Sequence, residues 1–133
     1  MNTINIAIPS LPENIRVVES FIDNARERFD LNDDLYGNIM IAVTESVSNA
    51  IAHGNKKDRN KSVDLSLAFE DSTITFTIED QGEGFDYNNL PDPTEPENIA
   101  EPSGRGIFLM KHLCDEVHFK DEGRIVQLTF YLS

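Results

Sequence analysis

The chain of 133 residues carries 24 acidic against 11 basic side chains, a formal net charge of −13, with 39% hydrophobic and 26% charged residues. This length suits one domain that buries its own core without disulfide or metal staples, and the composition is globular rather than disordered. So acidic a chain repels phosphate backbones and anionic lipid, so neither nucleic acid nor a membrane surface is expected as a direct partner.

Cys114 is the single cysteine, which excludes an intrachain disulfide and a multi-cysteine metal site and fits a reducing compartment. No apolar run approaches about 18 residues and the first residues lack a basic-then-apolar pattern, so a cytoplasmic location is expected.

Asn2 to Ile8 alternates, with Ile4, Ile6 and Ile8 in one phase, and predicts a strand stopped at Pro9. Ser10 then reads as a helix cap, with Pro12 and Glu13 in the first turn and a helix to about Phe29 whose apolar stripe is Ile15, Val18, Phe21, Ile22 and Ala25. A second helix is predicted from Asn32 or Asp33 to about His53, with Gly54-Asn55 as its stop signal. Around its axis Asn38, Glu45 and Asn49 fall within roughly 40° of one another. Leu35, Ile39, Met40, Ala42, Val43, Val47, Ala50 and Ile51 lie on one side of this polar wedge, Ile41 and Ala52 on the other. So narrow a wedge between core-like positions is unlike a solvated face; it suits a satisfied buried pair or a site.

Val63, Leu65, Leu67 and Phe69 share one phase and Ile74, Phe76 and Ile78 the next, a hairpin around Glu70-Asp71-Ser72. Asp80 continues the second phase and so aims a carboxylate inward, where it needs a donor: a turn amide, a water or a ligand amino group. Gly82 and Gly84 follow, permitting positive φ or close backbone approach. Tyr87 to Ser103 has no period and holds four of the six prolines; its charges are Asp92, Glu95, Glu97 and Glu101, all acidic. It reads as a long loop of the lid or connector kind. Gly104-Arg105-Gly106 opens an apolar helix to about Cys114, presenting free amides to an anion. Val117 to Lys120 and Ile125 to Leu132 form a last hairpin around Asp121-Glu122-Gly123.

Taken in order, Glu45-Ser46-Val47-Ser48-Asn49-Ala50-Ile51-Ala52-His53-Gly54-Asn55 resembles the N box, Asp80-Gln81-Gly82-Glu83-Gly84 the G1 box and Gly104-Arg105-Gly106 the G2 box of the gyrase, histidine kinase and MutL type of ATPase. The short length and the Glu-x-x-x-Asn-x-x-x-His-Gly form resemble, more narrowly, the stand-alone anti-sigma factor serine/threonine kinases of bacteria. The resemblance implies a single histidine kinase-like ATPase domain over residues 1–133, with an ATP lid at about 87–103. It implies a two-layer α/β sandwich of the Bergerat type, a mixed or largely antiparallel sheet of about five strands with helices on one face.

The resemblance also implies roles. Asn49 would ligate Mg²⁺, and Glu45 would be the general base. Asp80 would accept from the adenine amino group of ATP or ADP, with Gly82 and Gly84 against the base and ribose. Ser103, Gly104, Arg105 and Gly106 would meet the phosphates. His53 would border the nucleotide or simply cap its helix. The lid lacks the basic residue that family kinases often carry before the G2 glycines, and Gly123-Arg124 replaces the usual Gly-Thr entry to the last strand. The implied function is phosphorylation of a serine or threonine on an antagonist (anti-anti-sigma) protein and a switch between it and a sigma factor, with Arg16 on the partner surface. The resembling proteins commonly form homodimers. A nucleotide-responsive binding module without transfer, or a plain ATPase, are the alternatives.

Overall fold

The computed structural model describes residues 2–82 and 102–132. Five strands, β1 (Asn2–Pro9), β2 (Ser62–Glu70), β3 (Thr73–Glu79), β4 (Glu116–Lys120) and β5 (Ile125–Tyr131), form one sheet in the order β1-β2-β3-β5-β4. All four pairings are antiparallel, the largely antiparallel form of the expected two-layer sandwich. Three helices, α1 (Ile15–Phe29), α2 (Asp33–Asn49) and α3 (Pro102–Leu113), supply the second layer.

Side-chain alternation sets the register, because a slip of one residue would turn every apolar side chain to the wrong face. Ile8 pairs with Val63; Leu65 pairs with Ile78, which pairs with Val126; Leu67 pairs with Phe76, which pairs with Leu128. These residues are buried, and together they form the sheet half of the core. Phe76 and Phe130 meet edge to face at 6.2 Å, a favoured aromatic geometry. The β2–β3 turn uses Asp71 and Ser72 at φ 48° and 68°, the double left-handed form whose twist matches a two-residue hairpin. The outward phase is polar: Thr75 and Thr129 face each other at 3.3 Å between their hydroxyls.

Helix α1 buries Val18, Ile22 and Ala25, spaced so that one stripe meets the sheet. Phe29 at its end stacks on Phe69 at 4.5 Å, and Asp30 ends the helix at φ 52°. The expected start is corrected. Ser10 caps nothing: it is buried, its hydroxyl donates to the Lys61 carbonyl, and the helix is entered through a short turn at Pro12–Asn14. Helix α2 starts at Asp33, one of the two expected positions, and the Asn32 side chain caps it by accepting from Leu35 N at 2.8 Å. It buries Ile39, Ala42, Val43, Ser46 and Val47.

Two further boundaries differ from the sequence reading. The α-helical bonding of α2 stops at Asn49, and Ala50–Gly54 continue as a π turn closed by Asn55 N donating to the Ala50 carbonyl. Helix α3 starts at Pro102 rather than Gly104, since proline is tolerated at a first helical position where no amide is needed. The expected lid at 87–103 lies outside the described residues up to 101. Among the described residues no helix is long and apolar enough to cross a membrane.

Candidate functional site

Strand β3 delivers Asp80 as its alternation requires. Ile74, Phe76 and Ile78 are fully buried in its phase, and Asp80 follows just beyond the strand end, half-buried. Its backbone is held by Asp80 N donating to the Arg124 carbonyl at 3.0 Å. Of the donors foreseen for an inward carboxylate, a turn amide supplies one: Gly82 N donates to Oδ1 at 2.8 Å. Among the described residues Oδ2 has no hydrogen-bond partner. Burial holds the Asp80 carboxyl above its ordinary pKa, opposed by the Gly82 amide and by the charges of Arg124 and Lys61.

Two glycines make room for this carboxylate. A Cβ on Gly54, at the end of the π turn, would stand 2.3 Å from Asp80 Oδ2 and 2.4 Å from its Cγ. A Cβ on Gly82 would stand 2.0 Å from the Gly54 carbonyl oxygen. Gly82 is not in the left-handed region, so close approach, and not positive φ, is what requires glycine there. Gly84 lies outside the described residues.

The carboxylate of Asp80 therefore sits on the end of the segment that carries Glu45 and Asn49. Both of these are half-buried on α2, as is Asn38. One flank of their wedge is core as expected, but Ile41 on the other flank is 49% exposed. The wedge thus borders the core on one side and opens outward on the other, which suits a ligand-facing surface better than a buried pair. His53 is exposed and sits in the π turn, whose wider i to i+5 bonding breaks the regular four-residue spacing from Asn49.

Ser103, Gly104 and Arg105 fall in the first turn of α3, followed by Gly106, where helix amides lack intrahelical acceptors. Helix α3 packs on α2, with Met110 and Ser46 in contact, so a helix start and the Glu45–Asn49 helix belong to one layer. The departure at Gly123-Arg124 has a structural basis. Gly123 is at φ 89°, which explains the glycine. Arg124 spends its guanidinium on Asp121, Nη2 to Oδ1 at 2.7 Å, and its carbonyl on the Asp80 amide. Thr129 is committed to Thr75 on the outer face. Arg16 on α1 is exposed beside Val17, itself 45% exposed.

Sequence reasoning missed the roles of Gly54 and Asn55, taken together as a stop signal. Asn55 is fully buried and its amide is bonded to Ser10, Ser62 and Gln81. Proximity of Gly54-Asn55 to an inward Asp is a tertiary fact, and the local hints were their place at the end of the polar-wedge helix and of the stretch that resembles the N box.

The sheet order and the inward acid wedged between two glycines at a helix end define the arrangement, and comparison with known proteins names its class. The model of the histidine kinase-like ATPase domain matches residues 8–130, and the chain belongs to that family. Within it, the chain is similar to serine-protein kinase RsbW of Staphylococcus epidermidis, 31% identical over 139 residues that cover 98% of this chain and 87% of the relative. It is also similar to serine-protein kinase RsbW of Bacillus subtilis, 26% identical over 137 residues covering 98% and 86%. A crystal structure of the RsbU and RsbW domains of a Mycobacterium tuberculosis protein superposes with a TM-score of 0.73 at 16% identity. It covers 99% of this chain, which spans 32% of that longer one, and it supports the fold.

Proposed function

We propose that this protein is an ATP-dependent serine/threonine kinase that acts as an anti-sigma regulator, modifying an antagonist protein and exchanging it for a sigma factor. The observation that carries the nucleotide part is the Asp80 carboxylate, seated against Gly54 and Gly82 with Oδ1 satisfied and Oδ2 without a partner among the described residues. Such an oxygen suits the amino group of adenine. The names of the RsbW relatives support protein serine as the acceptor.

The donor chemistry of α2 fits a hard cation held by few protein ligands: Asn49 offers an amide oxygen, leaving most ligand positions to phosphate and water. Asn49 would hold Mg²⁺, which would neutralise charge developing on the phosphates when bound. Glu45 accepts the hydroxyl proton of the incoming serine as its oxygen bonds to the γ-phosphorus and the bond to the ADP oxygen breaks. The first-turn amides of α3 at Ser103, Gly104 and Arg105 receive phosphate oxygens. The exposed Arg16–Val17 surface of α1 is where the protein partners dock.

The test is transfer of label from γ-labelled ATP, with Mg²⁺, to a candidate antagonist (anti-anti-sigma) protein from the same organism. Wild type should label it, and Glu45→Ala should bind ATP with unchanged affinity but lose labelling by a factor of about 10² or more. Phosphate release without a partner supports a plain ATPase instead. Absence of transfer with intact ATP binding supports the nucleotide-responsive module, which the acidic lid sequence favours.

A further inference from the structure

Asn55 is one of three buried polar or charged side chains among the described residues, and it has no accessible surface. Its side chain joins three places distant in sequence. Nδ2 donates to Ser10 Oγ, beyond β1, at 2.7 Å, and to the Ser62 carbonyl, opening β2, at 3.0 Å. Oδ1 accepts from Gln81 N, beyond β3, at 2.7 Å. Two donors and one acceptor on so short a stem are what a primary amide provides.

The Gln81 bond bears on the site. Gln81 is held twice, by Asn55 through its amide and by Ser62 N donating to its Oε1 at 2.6 Å. The preceding residue is held by Asp80 N on the Arg124 carbonyl and the following one by Gly82 N on Asp80 Oδ1. The peptide carrying the Asp80 carboxylate is therefore fixed on both sides, and Asn55 supplies the link between it and the α2 segment. The π turn makes this possible: Asn55 N closes it on the Ala50 carbonyl, and such irregular turns recur at functional sites.

We infer that Asn55 is a positioning residue for base recognition: without touching nucleotide, it sets the direction of Asp80 Oδ2 and with it the preference for a purine bearing a 6-amino group over one bearing a 6-oxo group. This rests on the reading of Asp80 as the base acceptor. A purely structural Asn55 would hold the fold together and leave the choice of base alone.

Ser10→Ala provides the control, because it breaks the same network at its far end, removing bonds to Asn55 and to the Lys61 carbonyl, while leaving the Gln81 link. Dissociation constants for ATP and GTP are measured by calorimetry for wild type, Asn55→Ala, Ser10→Ala and Asp80→Asn, with folding verified by circular dichroism. Asn55→Ala should weaken ATP binding about tenfold and shrink the ATP-over-GTP ratio by a similar factor. Ser10→Ala should lower the melting temperature and keep the ratio. If Asn55→Ala does not fold, Asn55→Ser gives the same comparison, since its hydroxyl stops one atom short of Gln81 N. A ratio that changes in Asp80→Asn but not in the Asn55 variant overturns the inference alone. A ratio unchanged in Asp80→Asn overturns the reading of Asp80 beneath it.

Discussion

Gly54→Ala perturbs the site without removing any functional atom. The new methyl would lie 2.3 Å from Asp80 Oδ2, 2.4 Å from Cγ and 2.9 Å from Oδ1. Non-bonded carbons rest about 3.5–4.0 Å apart, so the carboxylate must withdraw by about 1 Å or more. Asp80 is too short to do this and keep Oδ1 at 2.8 Å from Gly82 N, so the variant loses that bond and the aim of Oδ2 together. Overpacking of this kind costs about 1–3 kcal/mol of stability. Loss of a charge-assisted hydrogen bond to the ligand costs about 1.5–3 kcal/mol, or about 10- to 100-fold in Kd. Calorimetric titration of folded Gly54→Ala with ATP measures this directly. Because the effect passes through Asp80, Gly54→Ala combined with Asp80→Asn should be little worse than either alone, a strong departure from additivity. An unchanged Kd in a folded Gly54→Ala, or full additivity, would refute the reasoning.

Gly82→Ala meets a backbone oxygen at 2.0 Å, which no side-chain motion relieves. Its denaturant midpoint should fall by the equivalent of about 2 kcal/mol or more. A methyl added at Gly37 in α2 would meet nothing within 4 Å, so Gly37→Ala should raise stability by about 0.5–1 kcal/mol in the same assay with ATP binding unchanged. Asp80 is held above its ordinary carboxyl range by burial, so the native state keeps this proton more tightly than the unfolded chain. Stability is then lost as pH rises from 3.8 through the raised value. Nucleotide-free Asp80→Asn should accordingly melt higher than wild type at neutral pH, and the gain should vanish once both are neutral below the unfolded value. Burial pushes the Cys114 thiol up to about 12, so a maleimide at pH 7.5 should label it only after unfolding.

The architecture was legible wherever a period was long. The β2–β3 hairpin follows from alternation, and α2 starts at Asp33, one of the two positions expected for it. The inward phase of Asp80 was readable because Ile74, Phe76 and Ile78 define it. What sequence could not carry were contacts made across the fold. Ser10 has every local mark of a helix cap, yet the Lys61 carbonyl and Asn55 compete for its hydroxyl and win. Gly54-Asn55 has the form of a helix stop, yet the glycine is required by Asp80 and the asparagine by three separate segments. Ile41 looked like core because the helix was read as flanked on both sides, whereas packing covers only one.

The central claim is that Asp80 reads the adenine of a bound nucleotide, and titration of Mg²⁺-ATP into wild type and Asp80→Asn tests it most directly. Asparagine keeps an acceptor for Gly82 N but turns an amide toward the adenine amino group, donor against donor. Measurable binding to wild type is expected, with a Kd raised about 10-fold or more in Asp80→Asn. Equal affinities, or no binding to wild type, would contradict the claim.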